Sequence, residues 1–429
     1  MPDKIKNFIL KIDRFLFEKF GSNKSIKFLE NIQEAQLIFS YLNAIGEETK
    51  VRFVGGCVRK SLCGDYVDDI DLATSLEPHE VKKKLTQNGI TVIDTGILHG
   101  TVTAILNKKK FEITTLRKDV ATDGRHANVE FTTDWNRDGL RRDFTINAIY
   151  ADIDGRIFDP LNGVSDLKNG RIKFIGQAKD RIQEDYLRIL SYFRFFIQYS
   201  KNEHDQDIIL SIKQNINGLN KISNERIFNE LKKILSLKNL YNLFSNKKSQ
   251  EIFLNIFPQF KYYQRLKKIN DLDQKMKDRY DVILILAILI IDHSKDYEYF
   301  CYKHKVSKNI KNRFINIFKN FEYLKSKKFY SKDNIKKQIY FTNKEYVKDL
   351  ILFSLFINNK IEIVDVKKLI DFVNVYEIPK FPISGEYLKM YGYEPGEALG
   401  KKLKLLEEEW IKNNFFLDKK FLEKSLEKK

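Results

Sequence analysis

The sequence predicts an α+β protein, a small mixed-sheet domain followed by an all-helical remainder. Three observations lead there. Between about Val51 and Tyr150, Gly, Asp, Thr and Val concentrate in short alternating runs bounded by turn residues. From Ile182 onward apolar residues recur at helical spacing, as in Tyr186, Leu187, Leu190, Phe193, Phe196 and Ile197. Gly is nearly absent between about 219 and 384, which suits uninterrupted helices.

Taken in order, strands are expected at Val51–Val54, Val92–Asp94, Thr101–Leu106, Phe111–Thr115 and Asn128–Thr132, with Lys108–Lys110 joining two of them as a hairpin. Helices are expected at Val58–Leu62 and at Pro78–Gln87, the second opened by a proline whose missing N–H is harmless there. Asn224–Leu235, Tyr280–Ile291 and Lys308–Leu324 carry the same amphipathic pattern. Residues 1–50 read as a mainly helical lead-in, 51–150 as the mixed domain, and 151–240, 241–380 and 381–429 as successive helical regions. The Lys-rich end from Lys419 is expected to fray.

Composition narrows the class. Over 429 residues, 43% hydrophobic and 31% charged is a globular balance rather than a disordered one. Cys57, Cys63 and Cys301 are too few and too scattered for a disulfide framework or a C-x-x-C zinc site. Asp3, Asp13 and Glu18 interrupt the first residues, unlike a signal or transit peptide. The apolar run Val282–Ile291 is half the length of the roughly 20 residues a membrane helix needs. A reducing cytosol and no membrane partner are expected. The 76 Lys+Arg exceed the 58 Asp+Glu by 18. A Lys-, Ile-, Asn- and Phe-rich composition could yield that excess without function, yet a basic surface favours a polyanionic partner.

The chemistry sits in the mixed domain. In Asp68-Asp69-Ile70-Asp71, a strand would place Asp69 and Asp71 on one face. Paired carboxylates repel unless a cation lies between them, and oxygen-only ligands suit Mg²⁺. The plain alternative is a solvated acidic turn. Upstream, Phe53-Val54-Gly55-Gly56-Cys57-Val58-Arg59 runs from strand through two glycines into a helix, the form of a phosphate cradle. Arg59 adds a forked donor. Glu112, between Phe111 and Ile113, can complete a three-carboxylate set for two metal ions in an in-line phosphoryl displacement. With a hydroxyl nucleophile and a nucleoside triphosphate, that is nucleotidyl transfer.

These residues resemble the class II tRNA nucleotidyltransferase and bacterial poly(A) polymerase family of the polymerase β superfamily. Gly55-Gly56-Cys57-Val58-Arg59 with Asp69-Ile70-Asp71 looks like its first signature. Arg141-Arg142-Asp143-Phe144-Thr145-Ile146-Asn147-Ala148 and Asp159-Pro160-Leu161-Asn162-Gly163 look like the next two. Glu184-Asp185-Tyr186-Leu187-Arg188 resembles the base-reading motif, and Asn224-Glu225-Arg226-Ile227 with Glu230-Leu231 its buttress. Asp123-Gly124-Arg125-His126 matches a segment used as a flexible loop, and Pro382–Gly385 with Gly392–Gly396 is similar to bacterial tails. The resemblance is dense over about 51–240.

It implies a nucleotidyltransferase head (51–150), a neck that reads the base (151–240), a body (241–380) and a tail (381–429). It implies that Asp69, Asp71 and Glu112 bind Mg²⁺, and that Gly55, Gly56 and Arg59 meet the triphosphate. Arg141, Arg142 and Asp143 would hold the nucleotide's sugar and phosphates, and Asp185, Arg188 and Arg194 the incoming nucleotide. The implied activity is addition of CCA to tRNA 3′ ends from CTP and ATP without a template.

Asp185 and Arg188, three apart, are expected on one face of a helix, an ordinary ion pair in the plain reading. Cytosine and adenine each offer an amine donor beside a ring-nitrogen acceptor. A carboxylate that accepts and a guanidinium that donates therefore suit C or A and leave U or G unpaired. The choice between C and A would fall to the loop around Asp119–Arg125 and the growing RNA end. Two departures from the family stand out: Lys60 where Asp is common, and Ser191 where Arg is common. Weaker nucleotide binding is expected. The alternatives are poly(A) polymerase, a CC-only or A-only enzyme, and an inactive RNA-binding module. Thr95–Thr103 lacks the Gly-Arg-Arg/Lys-Phe element of polyadenylating members. The histidines show no ligand or triad spacing. Tyr262-Tyr263 and Lys325–Tyr330 could grip RNA by stacking, or serve as core and solvated faces.

Overall fold

The computed structural model describes Leu29 and residues 31–43, 50–123 and 126–426. Most of the expected lead-in lies outside them, apart from a helix at Gln33–Leu42 (α1). The chain divides into two compact units, Met1–Ile252 and Phe253–Lys429.

In the first unit, strands β1 (Val51–Val54), β2 (Ile70–Thr74), β3 (Thr91–Gly96), β4 (Thr101–Leu106), β5 (Lys109–Thr115), β8 (Tyr150–Ala151) and β9 (Ile157–Phe158) form one mixed sheet. Its order is β3-β4-β5-β2-β1-β8-β9. Helices α2 (Gly56–Cys63) and α3 (Pro78–Gln87) pack on its strands, and α1 packs on α3. The alternation in β2 and β5 explains the division of labour: Leu72, Phe111 and Ile113 are buried, while Asp71 and Glu112 turn to the other face. The turn between β4 and β5 is Asn107-Lys108, with φ of 50° and 65°, so β5 already begins at Lys109. Two consecutive positive φ values match the twist of the flanking strands.

The segment expected as a flexible loop from Asp119 is instead mostly strand. β6 (Arg117–Asp123) and β7 (His126–Phe131) make a separate hairpin, and Gly124 and Arg125 lie outside the described residues. Alternating β-branched and polar residues had signalled only the returning strand.

Short helices follow at Trp135–Leu140 (α4) and Gly163–Lys168 (α5), then Ala178–Glu184 (α6), Arg188–Tyr199 (α7), Gln206–Asn215 (α8) and Asn224–Leu235 (α9). Helix α7 buries Leu190, Phe193 and Ile197 as its spacing requires, and α9 packs against it. Tyr186 and Leu187 lie ahead of α7, in a break after α6.

The second unit is helical throughout its described residues. Val282–Ile290 is buried on nearly every side, and no described helix is long and apolar enough to cross a membrane. Lys344–Ile357 packs against Ile363–Val375 and Lys308–Asn320. Phe329 is buried, while Tyr262 is half-buried, donates to Asp292 (2.5 Å) and lies against Arg265. Lys419–Leu426 is a helix whose Leu426 joins a cluster with Ile383, Leu388 and Leu406, so the fraying expected from Lys419 is corrected over 419–426, and 427–429 lie outside the described residues.

Candidate active site

The β2–β5 pairing is parallel and sets Asp71 directly beside Glu112. Asp69 stands just ahead of β2, exposed, and Glu112 is exposed as well. Burial, then the Glu112 charge, pushes the Asp71 carboxyl up to about 6, with Asp69 adding to the rise and Arg142 and Arg59 opposing it. Such mutual repulsion is what a divalent cation relieves, so this donor set fits one. Among the described residues no three His, Cys, Asp or Glu groups stand close enough to form a finished metal cage. Beneath Asp71, the Cys57 thiol faces its carbonyl oxygen at 3.5 Å; burial raises that thiol to about 12, leaving it inert.

The glycine turn has the conformation its chemistry needs. Gly55 has φ 69° and ψ −119°, a region closed to side chains with Cβ, and no side chain caps the start of α2. A Cβ on Gly55 would lie 3.8 Å from Arg142 Nη1, while nothing crowds Gly56. The turn is thus open at Gly56 and watched by Arg142.

Arg59 differs from expectation. Its guanidinium is 5% exposed, bonded to Asn147 Oδ1 and stacked over Phe195 and Tyr199. Its hydrophobic neighbours in α7 draw it under the turn, so it supports the site from behind. Asn147 also donates to Asp143 Oδ1 (2.7 Å), and Asp143 caps Phe144 N (2.8 Å). Asp143, Asn147 and Arg59 therefore form one chain of contacts. Asn147 was visible in the motif but carried no distinct signal.

Asp138 was missed entirely. It is 1% exposed in α4 and bonds Arg141, Arg142 and Tyr150. Burial opposes its ionisation, but Arg142 and then Arg141 outweigh this and hold its carboxyl well below the usual range. Only its spacing of four before Arg142 on a helix could have flagged it.

Asp185 and Arg188, expected to read the base, are arranged differently from the expected single helix face. Asp185 has extended geometry (φ −152°, ψ 104°) at the end of α6, and Arg188 opens α7. They are not paired with each other: Asp185 Oδ2 accepts from Arg226 (2.6 Å), and Arg188 Nη1 donates to Glu184 (2.6 Å). Asp185 Oδ1 accepts from Leu187 N (3.1 Å), in the break just ahead of α7. The carboxylate's preference for helix starts over helix interiors explains the break. Arg194, expected at the nucleotide, pairs with buried Glu230 (2.6 Å) and lies over Phe195; Ser191 donates to the same carboxylate oxygen (2.9 Å). A cavity of about 500 Å³, lined by Lys60, Cys63, Tyr66 and Tyr199 among others, includes none of the three carboxylates.

Comparison with known proteins agrees with this architecture. Residues 51–173 match the "Poly A polymerase head domain" model, and 205–264 the "Probable RNA and SrmB- binding site of polymerase A" model. The mouse CCA tRNA nucleotidyltransferase 1, mitochondrial, is 35% identical over 87% of this chain and 85% of its own length. The human protein of the same name is 36% identical over 87% and 86%. The fold is similar to the Bacillus stearothermophilus CCA-adding enzyme solved with CTP, with a TM-score of 0.67 at 23% identity over 89% of this chain and 93% of that one. The Thermotoga maritima CCA-adding enzyme solved with tRNA gives 0.62 at 19% identity over 94% and 98%. A mixed-sheet head carrying Asp71 beside Glu112, followed by helices and matched over most of its length by such relatives, places the chain in the CCA tRNA nucleotidyltransferase and poly(A) polymerase family.

Proposed function

We propose that this chain adds CCA to tRNA 3′ ends, using CTP and ATP, without a nucleic-acid template. The observation that carries the reading is Asp71 beside Glu112, on the sheet whose neighbouring glycine turn opens α2. The relatives above act under the name of this activity over most of the chain. In each step the terminal RNA hydroxyl attacks the α-phosphorus of the triphosphate and gives up its proton to solvent as a new P–O bond forms, while the bond from the α-phosphorus to the bridging oxygen breaks and pyrophosphate leaves with its electron pair.

Asp69, Asp71 and Glu112 would hold Mg²⁺, two ions in the fullest form. Bound there, Mg²⁺ would neutralise charge on the attacking and leaving oxygens. Gly55, Gly56 and the start of α2 cradle the phosphates, with Arg142 Nη1 beside the Gly55 turn. Arg59 and Asp143 act through Asn147, shaping the turn's floor. Asp185 and Arg188 present an acceptor and a donor to the base, each steadied by a partner of its own. Arg194 and Arg141 support them. The head at 51–150, neck at 151–240, body at 241–380 and tail at 381–429 are part of this proposal. So is a cytosolic location, supported by cysteines in no disulfide; the vertebrate relatives are named mitochondrial, and organelle fractionation would decide.

The test is to sequence products made on a tRNA transcript lacking its CCA end, with all four nucleotides and Mg²⁺. CCA ends support the reading; an A tract, CC alone, A alone or no incorporation each overturn it in favour of a named alternative. Asp71→Ala is expected to reduce incorporation below about one-thousandth while tRNA binding survives. If both vanish together, the carboxylate is a folding residue.

A further inference from the structure

The Asp138 carboxylate divides its two oxygens between different tasks. Oδ1 accepts from Arg141 Nε (2.9 Å) and Nη2 (2.8 Å) and from the backbone N–H of Arg117 (3.3 Å), the first residue of β6. Oδ2 accepts from the Tyr150 hydroxyl (2.6 Å) and from Arg142 Nε (3.1 Å) and Nη2 (3.0 Å). Tyr150 is fully buried, and its oxygen also accepts from Arg142 Nε (3.2 Å). The planar guanidinium of Arg142 is therefore gripped along one edge, which fixes its plane and leaves Nη1 as the nitrogen directed at the Gly55 turn.

We infer that Asp138 is a positioning residue for nucleotidyl transfer, acting through Arg142 to aim Nη1 at the phosphates held by the Gly55-Gly56 turn. This rests on the nucleotidyl-transfer reading above. The carboxylate suits the task because strand, helix and core all hold it: Arg117 N–H from β6, Arg141 from the end of α4, and Tyr150 from β8. A guanidinium left to choose its own rotamer would instead be drawn toward the nearby Asp71 and Glu112. Held as it is, it keeps its third nitrogen ready before the nucleotide arrives, and that preorganisation lowers the cost of binding.

The test uses the full chain on a tRNA transcript lacking CCA, with steady-state kinetics for CTP and ATP. Asp138→Asn is expected to raise KM for both nucleotides about tenfold while kcat falls less. Arg142→Ala is expected to do at least as much. The decisive comparison is the double variant: added to Arg142→Ala, Asp138→Asn should change KM less than twofold. Effects that multiply, or a kcat loss at constant KM, overturn the inference. Should Asp138→Asn fail to fold, Tyr150→Phe keeps the ring, deletes one bond to Oδ2, and should raise KM about threefold with an unchanged melting temperature. An unchanged KM in that variant also overturns it. Wild-type chain that incorporates no nucleotide would refute the activity itself, a separate outcome from additive kinetics in an active enzyme.

Discussion

At the scale of single residues, Lys60 shows how context neutralises an unexpected charge. Its ammonium pairs with Asp68, whose same oxygen accepts from the backbone N–H of Asp69 (3.1 Å). The positive charge is thus matched one residue ahead of the proposed metal ligands. The pair is 27% and 55% exposed, so its worth is at most about 1 kcal/mol. Asp68→Ala is expected to raise the Mg²⁺ concentration for half-maximal incorporation two- to fivefold by uncovering Lys60. Lys60→Ala/Asp68→Ala should return it toward wild type; a double variant as poor as Asp68→Ala would show that the carboxylate matters for itself. Ser191 sits at a second departure. Ser191→Arg should lower KM for both nucleotides several-fold, and unchanged KM in a titration of CTP would end that expectation.

At the scale of elements, the break between α6 and α7 sets where Asp185 and Arg188 can reach. A neighbouring glycine, absent from every sequence motif, makes room for it. A Cβ on Gly218 would fall 2.0 Å from the Tyr186 ring, and Tyr186 adjoins Asp185. Gly218→Ala must displace that ring, so KM for CTP and ATP should rise together, with a melting temperature lowered by several degrees. Equal KM values with only a lower melting temperature would confine Gly218 to packing. The strands and helices themselves were largely legible. Val51–Val54, Thr101–Leu106, Pro78–Gln87 and Asn224–Leu235 stand where their periodicity and turn residues put them. The neighbouring positions of Asp71 and Glu112 were legible because strand alternation sets them on one face, whereas Asp69 stands ahead of β2. The partners of Arg59 and Arg194 were not legible, because a guanidinium can stack on aromatic rings or enter a buried pair, and local spacing does not reveal which. Gly218 was invisible because its partner Tyr186 lies far off in sequence, and Asp138 because its burial against nearby Arg141, Arg142 and Tyr150 shows only in the fold.

At the scale of the whole molecule, charge and buried histidines govern behaviour in solution. With a formal charge of +18, tRNA binding should weaken at least tenfold between about 50 and 200 mM KCl. A filter-binding series with no salt slope would mean the charge is compositional. His204, between Tyr192 (3.0 Å) and Ser249 (2.5 Å), and His304, packed against Phe300 and Phe257, are both buried, which lowers each ring to about 4. Each stays neutral in the fold and gains a proton on unfolding below about 6.5, so stability is full above that pH and is lost as pH falls toward 4. The loss is about 1 kcal/mol per pH unit for each ring. His304→Leu, which strands no hydrogen-bond partner, should shrink the drop in melting temperature between pH 7 and pH 5. An identical drop would assign acid sensitivity to other groups.

The Asn107-Lys108 turn has a reach that its exposed position conceals. Strand β5 starts at its edge with Lys109, and three residues on comes Glu112, about 10 Å away. Adding or deleting one residue at that tip would slide the strand by half a repeat and turn the glutamate's carboxylate into the hydrophobic layer, with Phe111 or Ile113 left outside in its stead. The length of that tip therefore fixes which face of the sheet carries the acid.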